Sequence, residues 1–295
     1  MNRRAFLGGV VALCAAEAAC VKVPDVTVGS KNFTEQLILG EIVAQHLRGR
    51  LRTQIGDRFY LAGSYICQQA MLAGRIDCYV EYTGTALSAI LKEQRSGSRE
   101  AVLQQVRAEY ARRFSLEVFP SLGFDNSFAI AMRGEQARAL GVSRLSELGR
   151  VSKQLKLAVG YEFLDRIDGF KGLAATYGLQ FAAAPQVMDL GLIYRALQSG
   201  QVDVVAGSNT DGQIEALKLT VLEDDKQFFP PYEAVPIVRT ATLERVAGLR
   251  GAIQELCNKI TVGDMRRMNY AADGQRRDAV AIAREFLARL DTTRT

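Results

Sequence analysis

Gly74-Arg75-Ile76-Asp77-Cys78-Tyr79-Val80-Glu81-Tyr82-Thr83-Gly84-Thr85 is the stretch that decides the fold. Cys67 to Ala73 before it reads as the end of a helix, and Gly74 stops a helix by tolerating a left-handed turn. Ile76 to Val80 alternates apolar and polar residues, which suits a short strand. The strand runs into a Tyr, two hydroxyls and a Gly, at the carboxyl end where open α/β sheets bind ligands. The same phrase returns later. Ala196-Leu197-Gln198-Ser199-Gly200-Gln201-Val202-Asp203-Val204-Val205 repeats the helix, Gly, apolar-Asp and strand, and leads to Gly207-Ser208-Asn209-Thr210-Asp211-Gly212. Counted from each Gly, Tyr82 and Ser208 are equivalent. Val26-Thr27-Val28-Gly29 and Leu157-Ala158-Val159-Gly160 form a second matched pair in the same order. Gly-x-(Ile/Val)-Asp alone is a common helix-to-strand joint, but two ordered pairs predict two similarly built α/β lobes.

The chain has 295 residues, 48% of them apolar, enough for one large domain or two small ones. Its net charge of +5 is scattered, with no Lys/Arg run interleaved with aromatics, so no nucleic-acid partner is expected. Residues 1–20 read as an export signal: Arg3 and Arg4, an apolar run from Ala5 to Ala16, then Ala16-Glu17-Ala18 as a small-x-small cleavage pattern. That run is too short to span a membrane. Arg3-Arg4-Ala5-Phe6-Leu7 also resembles a twin-arginine signal, with Gly8 where a Lys is usual. Cys20 stands where bacterial lipoproteins are acylated, although Glu17 departs from that motif, so lipid anchoring and simple cleavage both remain open. The expected location is the periplasm, free or tethered to a membrane facing it. Cys67, Cys78 and Cys257 have no metal-ligand spacing. An oxidising compartment allows a Cys67–Cys78 disulfide, and buried free thiols are the other reading.

Leu37, Ile38, Ile42, Val43 and Leu47 recur at helical spacing after a loop from Ser30 to Glu35. The start of that helix lies beside Ser30, Lys31 and Asn32, a candidate anion site; a solvated Lys beside a cap is the alternative. Leu122 to Met132 reads as an apolar extended stretch broken by Asp125-Asn126-Ser127, as expected where the chain crosses between lobes with its polar part facing a cleft. Arg166 is flanked by Asp165 and Asp168, so a local ion pair is one reading of it. Phe228-Phe229-Pro230-Pro231-Tyr232 is a stiff apolar turn, and Ala234 to Val238 a strand returning to the first lobe. Two amphipathic helices, roughly Leu243 to Lys259 and Asp278 to Leu290, are predicted to close the chain. The only His, His46, lies on the first helix, and no nucleophile has a base in a motif beside it. No enzyme is expected, and no catalytic, metal or cofactor residue is assigned.

Seven blocks in order carry a resemblance that runs nearly end to end: Gly29-Ser30-Lys31-Asn32-Phe33-Thr34-Glu35-Gln36, Glu81-Tyr82-Thr83-Gly84-Thr85, Gly123-Phe124-Asp125-Asn126, Arg166-Ile167-Asp168-Gly169, Thr210-Asp211-Gly212, Phe228-Phe229-Pro230-Pro231-Tyr232 and Met268-Asn269-Tyr270-Ala271. The mature chain resembles the substrate-binding proteins of osmoprotectant ABC importers of the glycine betaine, choline and carnitine type. The resemblance implies an α/β, two-lobed periplasmic-binding-protein fold (type II), with a ligand cleft between lobes joined by two hinge crossings. Lobe 1 is expected over residues 24–125, lobe 2 over 126–230, and the return of lobe 1 over 231–291.

It also implies an aromatic cage, because a quaternary ammonium has no N–H and is read by the negative faces of rings. A carboxylate is held by Arg, Lys and hydroxyl donors. Position by position, Lys31, Thr85 and Arg166 match the family's carboxylate contacts, and Asn126 falls where a backbone carbonyl can face the cationic head. Tyr82 and Tyr232 match two cage tyrosines, Phe128 stands in the third place, and Ser208 replaces the fourth Tyr. The expectation is a weak betaine binder, or one retuned to a bulkier betaine or another zwitterion. The implied partners are that small ligand and an inner-membrane ABC permease, with a monomer expected. The alternative is a two-lobed module used in sensing. The chain carries neither a second membrane segment nor a recognisable DNA-binding helix pair, which favours transport.

Overall fold

In the computed structural model the described residues are 24–93, 98–166 and 168–292. The stretch read as an export signal, with Cys20 and the twin-arginine and acylation readings, lies outside them. Ten strands fall into two sheets: β1 (Val26–Lys31), β2 (Ile55–Leu61), β3 (Cys78–Tyr82), β4 (Leu116–Val118), β5 (Phe128–Arg133), β6 (Leu157–Val159), β7 (Gln186–Val187), β8 (Val204–Ser208), β9 (Leu219–Val221) and β10 (Ala234–Arg239). The first sheet has the order β2-β1-β3-β10-β4 and the second β7-β6-β8-β5-β9. In each, the first three strands run parallel, and an antiparallel strand lies between them and the edge. The two sheets are therefore the same arrangement used twice, with β1 answering to β6 and β3 to β8. The shared helix-to-strand joints have the same backbone: Gly74 lies at φ +66 and Gly200 at φ +76, a region that side chains disfavour.

Helices cover both faces of each sheet. Ile38, Ile42, Val43 and Leu47 of helix Thr34–Arg50 pack on one face of the first sheet with Val26, Val28 and Val80. Met71, Ile76, Val102, Val106 and Tyr110 fill the other with Tyr79 and Ile237. Two further cores flank the second sheet, one around Ile130, Leu157 and Phe163 and one around Ile193, Leu197 and Val205. Burial on both faces explains a shift from the sequence reading. All five residues of β3 are buried, so the strand is not the half-exposed segment that alternation suggested two residues earlier. Asp77 lies before it and acts as a joint: its Oδ2 accepts Thr27 N–H at 2.8 Å and its Oδ1 the Thr242 hydroxyl at 2.6 Å.

The chain passes between the sheets at two adjacent segments. Asp125 and Glu233 pair there as an antiparallel bridge. Asp125 holds both segments, accepting Ser127 N–H at 2.8 Å with one oxygen and Tyr232 N–H at 2.8 Å with the other. Thr83 adds a tie from the end of β3, donating to Pro231 C=O at 3.0 Å and accepting Glu233 N–H at 3.1 Å.

The tail departs from the two helices expected. Thr240–Arg245, Leu249–Gln254, Val262–Asp273 and Ala279–Thr292 are separate helices. Gly248 at φ +82 and Asn258 at φ +58 turn the backbone out of the first expected helix. Thr261 and Asp264 form a capping box that starts the one not foreseen. Cys67, Cys78 and Cys257 are free, and the first two are buried. Of the two readings of Cys67 and Cys78, the folded chain takes the buried thiols, with burial pushing Cys67 up to about 12.

Candidate functional site

The carboxyl ends of β3 and β8, the start of β5 and the return crossing converge. Phe128 opens β5 opposite Ser208, the last residue of β8. Directly opposed residues of an antiparallel pair project to the same face, so Phe128 and Ser208 share one wall. The Phe128 ring meets Tyr232 edge-on with centroids 6.3 Å apart. Behind it, Phe163 at 4.9 Å and Phe229 at 5.7 Å fix its orientation. Tyr232 also packs on the turn after β3, where a Cβ on Gly84 would lie 2.7 Å from its ring. Thr85, half-buried, is the next residue of that turn.

Each cation of this region lies over a ring and beside a carboxylate. Lys31 Nζ sits 4.5 Å from the Tyr82 centroid, donates to Ser64 Oγ at 3.1 Å and forms a buried ion pair with Glu81. Arg166 reaches Asp168 through two bonds of 2.8 Å and also donates to the Tyr232 hydroxyl. Its guanidinium carbon lies 5.4 Å from the Phe128 centroid and 5.8 Å from that of Tyr232. Burial pushes the Asp168 carboxyl up, but the bonds from Arg166 and Tyr232 and the Arg166 charge outweigh it and hold it below the usual range. The local ion pair that the sequence offered for Arg166 is thus present, with the Tyr232 contact added. The anion beside Lys31 is the chain's own Glu81, where the sequence left room for an external one.

Asn126 joins the halves. Its Nδ2 donates to Glu35 Oε1 at 2.9 Å. Its Oδ1 accepts the Ser208 hydroxyl and lies 3.1 Å from the Thr210 hydroxyl. The sequence assigned it a backbone role; in the structure its side chain does the joining, while its N–H donates to Tyr232 C=O at 3.0 Å. Glu35 is the residue that sequence reading passed over. It is buried, accepts the Tyr82 hydroxyl at 2.5 Å and takes Asn269 Nδ2 at 2.9 Å on its other oxygen. Burial pushes Glu35 up, the bonds from Thr210, Tyr82 and Asn269 pull it down, and the charge of Asp211 adds to the rise. The sequence reading left it at the end of the loop from Ser30, whereas it lies in the first turn of helix Thr34–Arg50. Asn269 was out of reach because its helix was not foreseen.

Tyr82, Glu35, Asn126, Ser208, Phe128, Tyr232 and Arg166 therefore form one continuous cluster drawn from both sheets. Two shallow surface hollows, one along Gly134–Arg138 and one between His46 and Asp291, share no residue with it. His46 is buried, its Nε2 3.0 Å from Ala252 C=O, as befits a packed helix residue. Among the described residues no group of His, Cys, Asp and Glu is arranged for a metal, and no helix is long and apolar enough to cross a membrane.

Comparison with known proteins places this cluster in context. Residues 24–289 match the substrate-binding domain of ABC-type glycine betaine transport systems. The carnitine transport binding protein OpuCC of Listeria monocytogenes is 31% identical over 264 residues, covering 89% of this chain and 85% of that protein. A glycine-betaine-binding protein of Pseudomonas aeruginosa is 31% identical over 273 residues, covering 88% and 86%. A crystal structure described as a glycine betaine/carnitine/choline ABC transporter superposes with a TM-score of 0.84 at 31% identity, over 90% of this chain and 98% of that one.

Proposed function

Because the chain belongs to the family of substrate-binding domains of ABC-type glycine betaine transport systems, we propose that it is the extracytoplasmic subunit of an importer. It captures a small ammonium zwitterion of the glycine betaine type between its lobes and delivers it to the permease. Its work is binding, not catalysis. The observation that carries the reading is the pairing within the cluster: Lys31 lies over Tyr82 and Arg166 over Phe128 and Tyr232, and each of these cations has a carboxylate beside it.

A zwitterion fits that arrangement by exchange. Its ammonium takes a ring face, which favours a cation by about 0.5–2 kcal/mol. Its carboxylate takes the Lys31 or Arg166 so displaced, and the charge count stays as it was. A cation without a carboxylate would take the ring face but give the displaced Lys31 or Arg166 no new contact beyond the Glu81 or Asp168 that it already has, so it gains less. Lys31, Thr85 and Arg166 are the residues proposed for the carboxylate. Tyr82, Phe128 and Tyr232 are proposed for the ammonium, with Asn126 and Ser208 closing the wall. Closure then joins contacts from both lobes.

Titration calorimetry of the purified protein with glycine betaine, carnitine, ergothioneine and choline tests this. The three zwitterions are expected to bind, and choline, with its ammonium but no carboxylate, at least about tenfold more weakly, the range of a lost charge-assisted bond. Silence from all four at millimolar concentration would remove the ammonium reading.

A further inference from the structure

The wall at Ser208 is built differently from the three rings of the cluster. Ser208 is half-buried and shares the face of Phe128. Its hydroxyl donates to Asn126 Oδ1. The orientation of that amide is fixed at its other end, where Nδ2 must donate because a Glu35 carboxylate can only accept. With Oδ1 confined to accepting, the Ser208 proton is committed to it. Thr210 N–H, 3.4 Å away, engages one lone pair of Ser208 Oγ, and the other is left to face the cleft. Thr210, whose hydroxyl lies 3.1 Å from both Ser208 Oγ and Asn126 Oδ1, is almost fully buried and backs the arrangement without lining it. Hydroxyl, amide and Glu35 form a chain of bonds that all donate toward the carboxylate, and such polarisation makes the oxygen at the donor end, Ser208 Oγ, a better acceptor.

A lone-pair acceptor and an aromatic face discriminate between ammonium ions in opposite ways. A trimethylammonium presents only C–H to either, and a methyl set against Ser208 Oγ shuts the oxygen off from water without replacing the bond. An ammonium with an N–H satisfies the oxygen directly, while its remaining methyls and charge still engage the rings. We infer that the Ser208 wall selects a zwitterion whose ammonium keeps at least one N–H, so that a partly methylated amino acid is held more tightly than its trimethylated counterpart. This rests on the reading of the cluster as an ammonium zwitterion site and narrows its ligand class.

The test is calorimetry on the purified protein with glycine, N-methylglycine, N,N-dimethylglycine and glycine betaine, a series that exchanges N–H for N–CH3 one at a time on the same carboxylate. Dimethylglycine or N-methylglycine should bind at least about fivefold more tightly than glycine betaine. Ser208→Ala should bring that ratio close to one. Ser208→Tyr, which adds a ring, should turn it in favour of betaine, with thermal unfolding showing that both variants fold. Betaine as the tightest ligand of the unmodified protein, or an unchanged order in Ser208→Ala, overturns the preference alone. No binding by any of the four overturns both the preference and the reading beneath it.

Discussion

Arg166 is the cation of the second sheet's half of the cluster, touching a carboxylate, a phenol and two ring faces. Replacing it with Ala should weaken a carboxylate ligand by at least about tenfold, the loss typical of a charge-assisted bond. Choline should bind no worse, since it has no carboxylate to lose and the Phe128 and Tyr232 faces become open to it. An equal loss for both ligands in calorimetry would make Arg166 a structural residue only. Glu35 supports a prediction of a different kind. Its ionised form helps attract an ammonium, and burial makes it take up a proton at higher pH than its ordinary 4.5. Affinity for a zwitterion should therefore fall on acidification, beginning above 4.5, while Glu35→Gln shows a weaker but flatter profile. The sign for stability is opposite. A raised value means the fold holds the proton more strongly, so this contribution is present below 4.5 and is lost as pH rises through the folded value. The titratable groups that face Glu35 are Tyr82 and Asp211. Burial and the nearby Glu35 push Tyr82 up, away from this range. Burial also pushes Asp211 up, so the acid limb is to be compared with that of Asp211→Asn. A profile that stays level in the unmodified protein sinks the assignment.

The turn after β3 is where an element sets the site. Gly84 brings that turn onto Tyr232, and a Cβ there would stand 2.7 Å from the ring and 2.9 Å from Pro231 C=O. Gly84→Ala should push the return crossing outward at a cost of about 1–3 kcal/mol, the usual range for overpacking. Both a lower melting temperature and weaker ligand binding are expected; a variant unchanged in both would show that the turn yields freely. The same elements mark what could be read from the chain. The repeated Gly-x-(Ile/Val)-Asp joints and their strands were visible because local chemistry makes them: a left-handed Gly, then a β-branched run. The return strand β10 was legible from its apolar run after two prolines. The division of the tail was not, because Gly248 and Asn258 interrupt a continuous amphipathic pattern and only backbone geometry shows which interruption breaks the helix. The site divided the same way. Rings and cations at Tyr82, Tyr232 and Arg166 were legible from residue type and resemblance. The Arg166–Asp168 pair was legible too, being local, but the partners Glu35, Glu81 and Asn269 were not, since their pairing depends on residues between 47 and 234 positions away in the chain.

At the scale of the whole molecule, the lobes touch at a second place besides the crossings. Helix Val262–Asp273 belongs with the first sheet, and the loop after β8 belongs to the second. Between them Arg266 grips Asn209, with Nε 2.8 Å from its carbonyl and Nη2 2.7 Å from its side-chain oxygen. Asn269 donates to Thr210 C=O at 2.9 Å, and a Cβ on Gly212 would come within 2.5 Å of the Tyr270 backbone nitrogen. These contacts hold the loop that follows Ser208 and carries Thr210 against the helix that carries Asn269, so the two halves of the cluster meet in this way only while the lobes are together. Closure and ligand recognition then draw on the same bonds, and weakening the first must weaken the second by linkage. Arg266→Ala removes two bonds to Asn209 without touching a proposed ligand contact. It should favour the open arrangement, read as a larger radius of gyration in small-angle scattering. Saturating ligand should reverse that expansion, because a ligand with contacts on both lobes selects the closed form. Affinity should fall by about five- to tenfold, through faster dissociation and with the order of ligands unchanged, since the ligand contacts themselves are intact. An Arg266→Ala protein with the original radius and the original dissociation rate would mean that the crossings alone set the relation of the lobes.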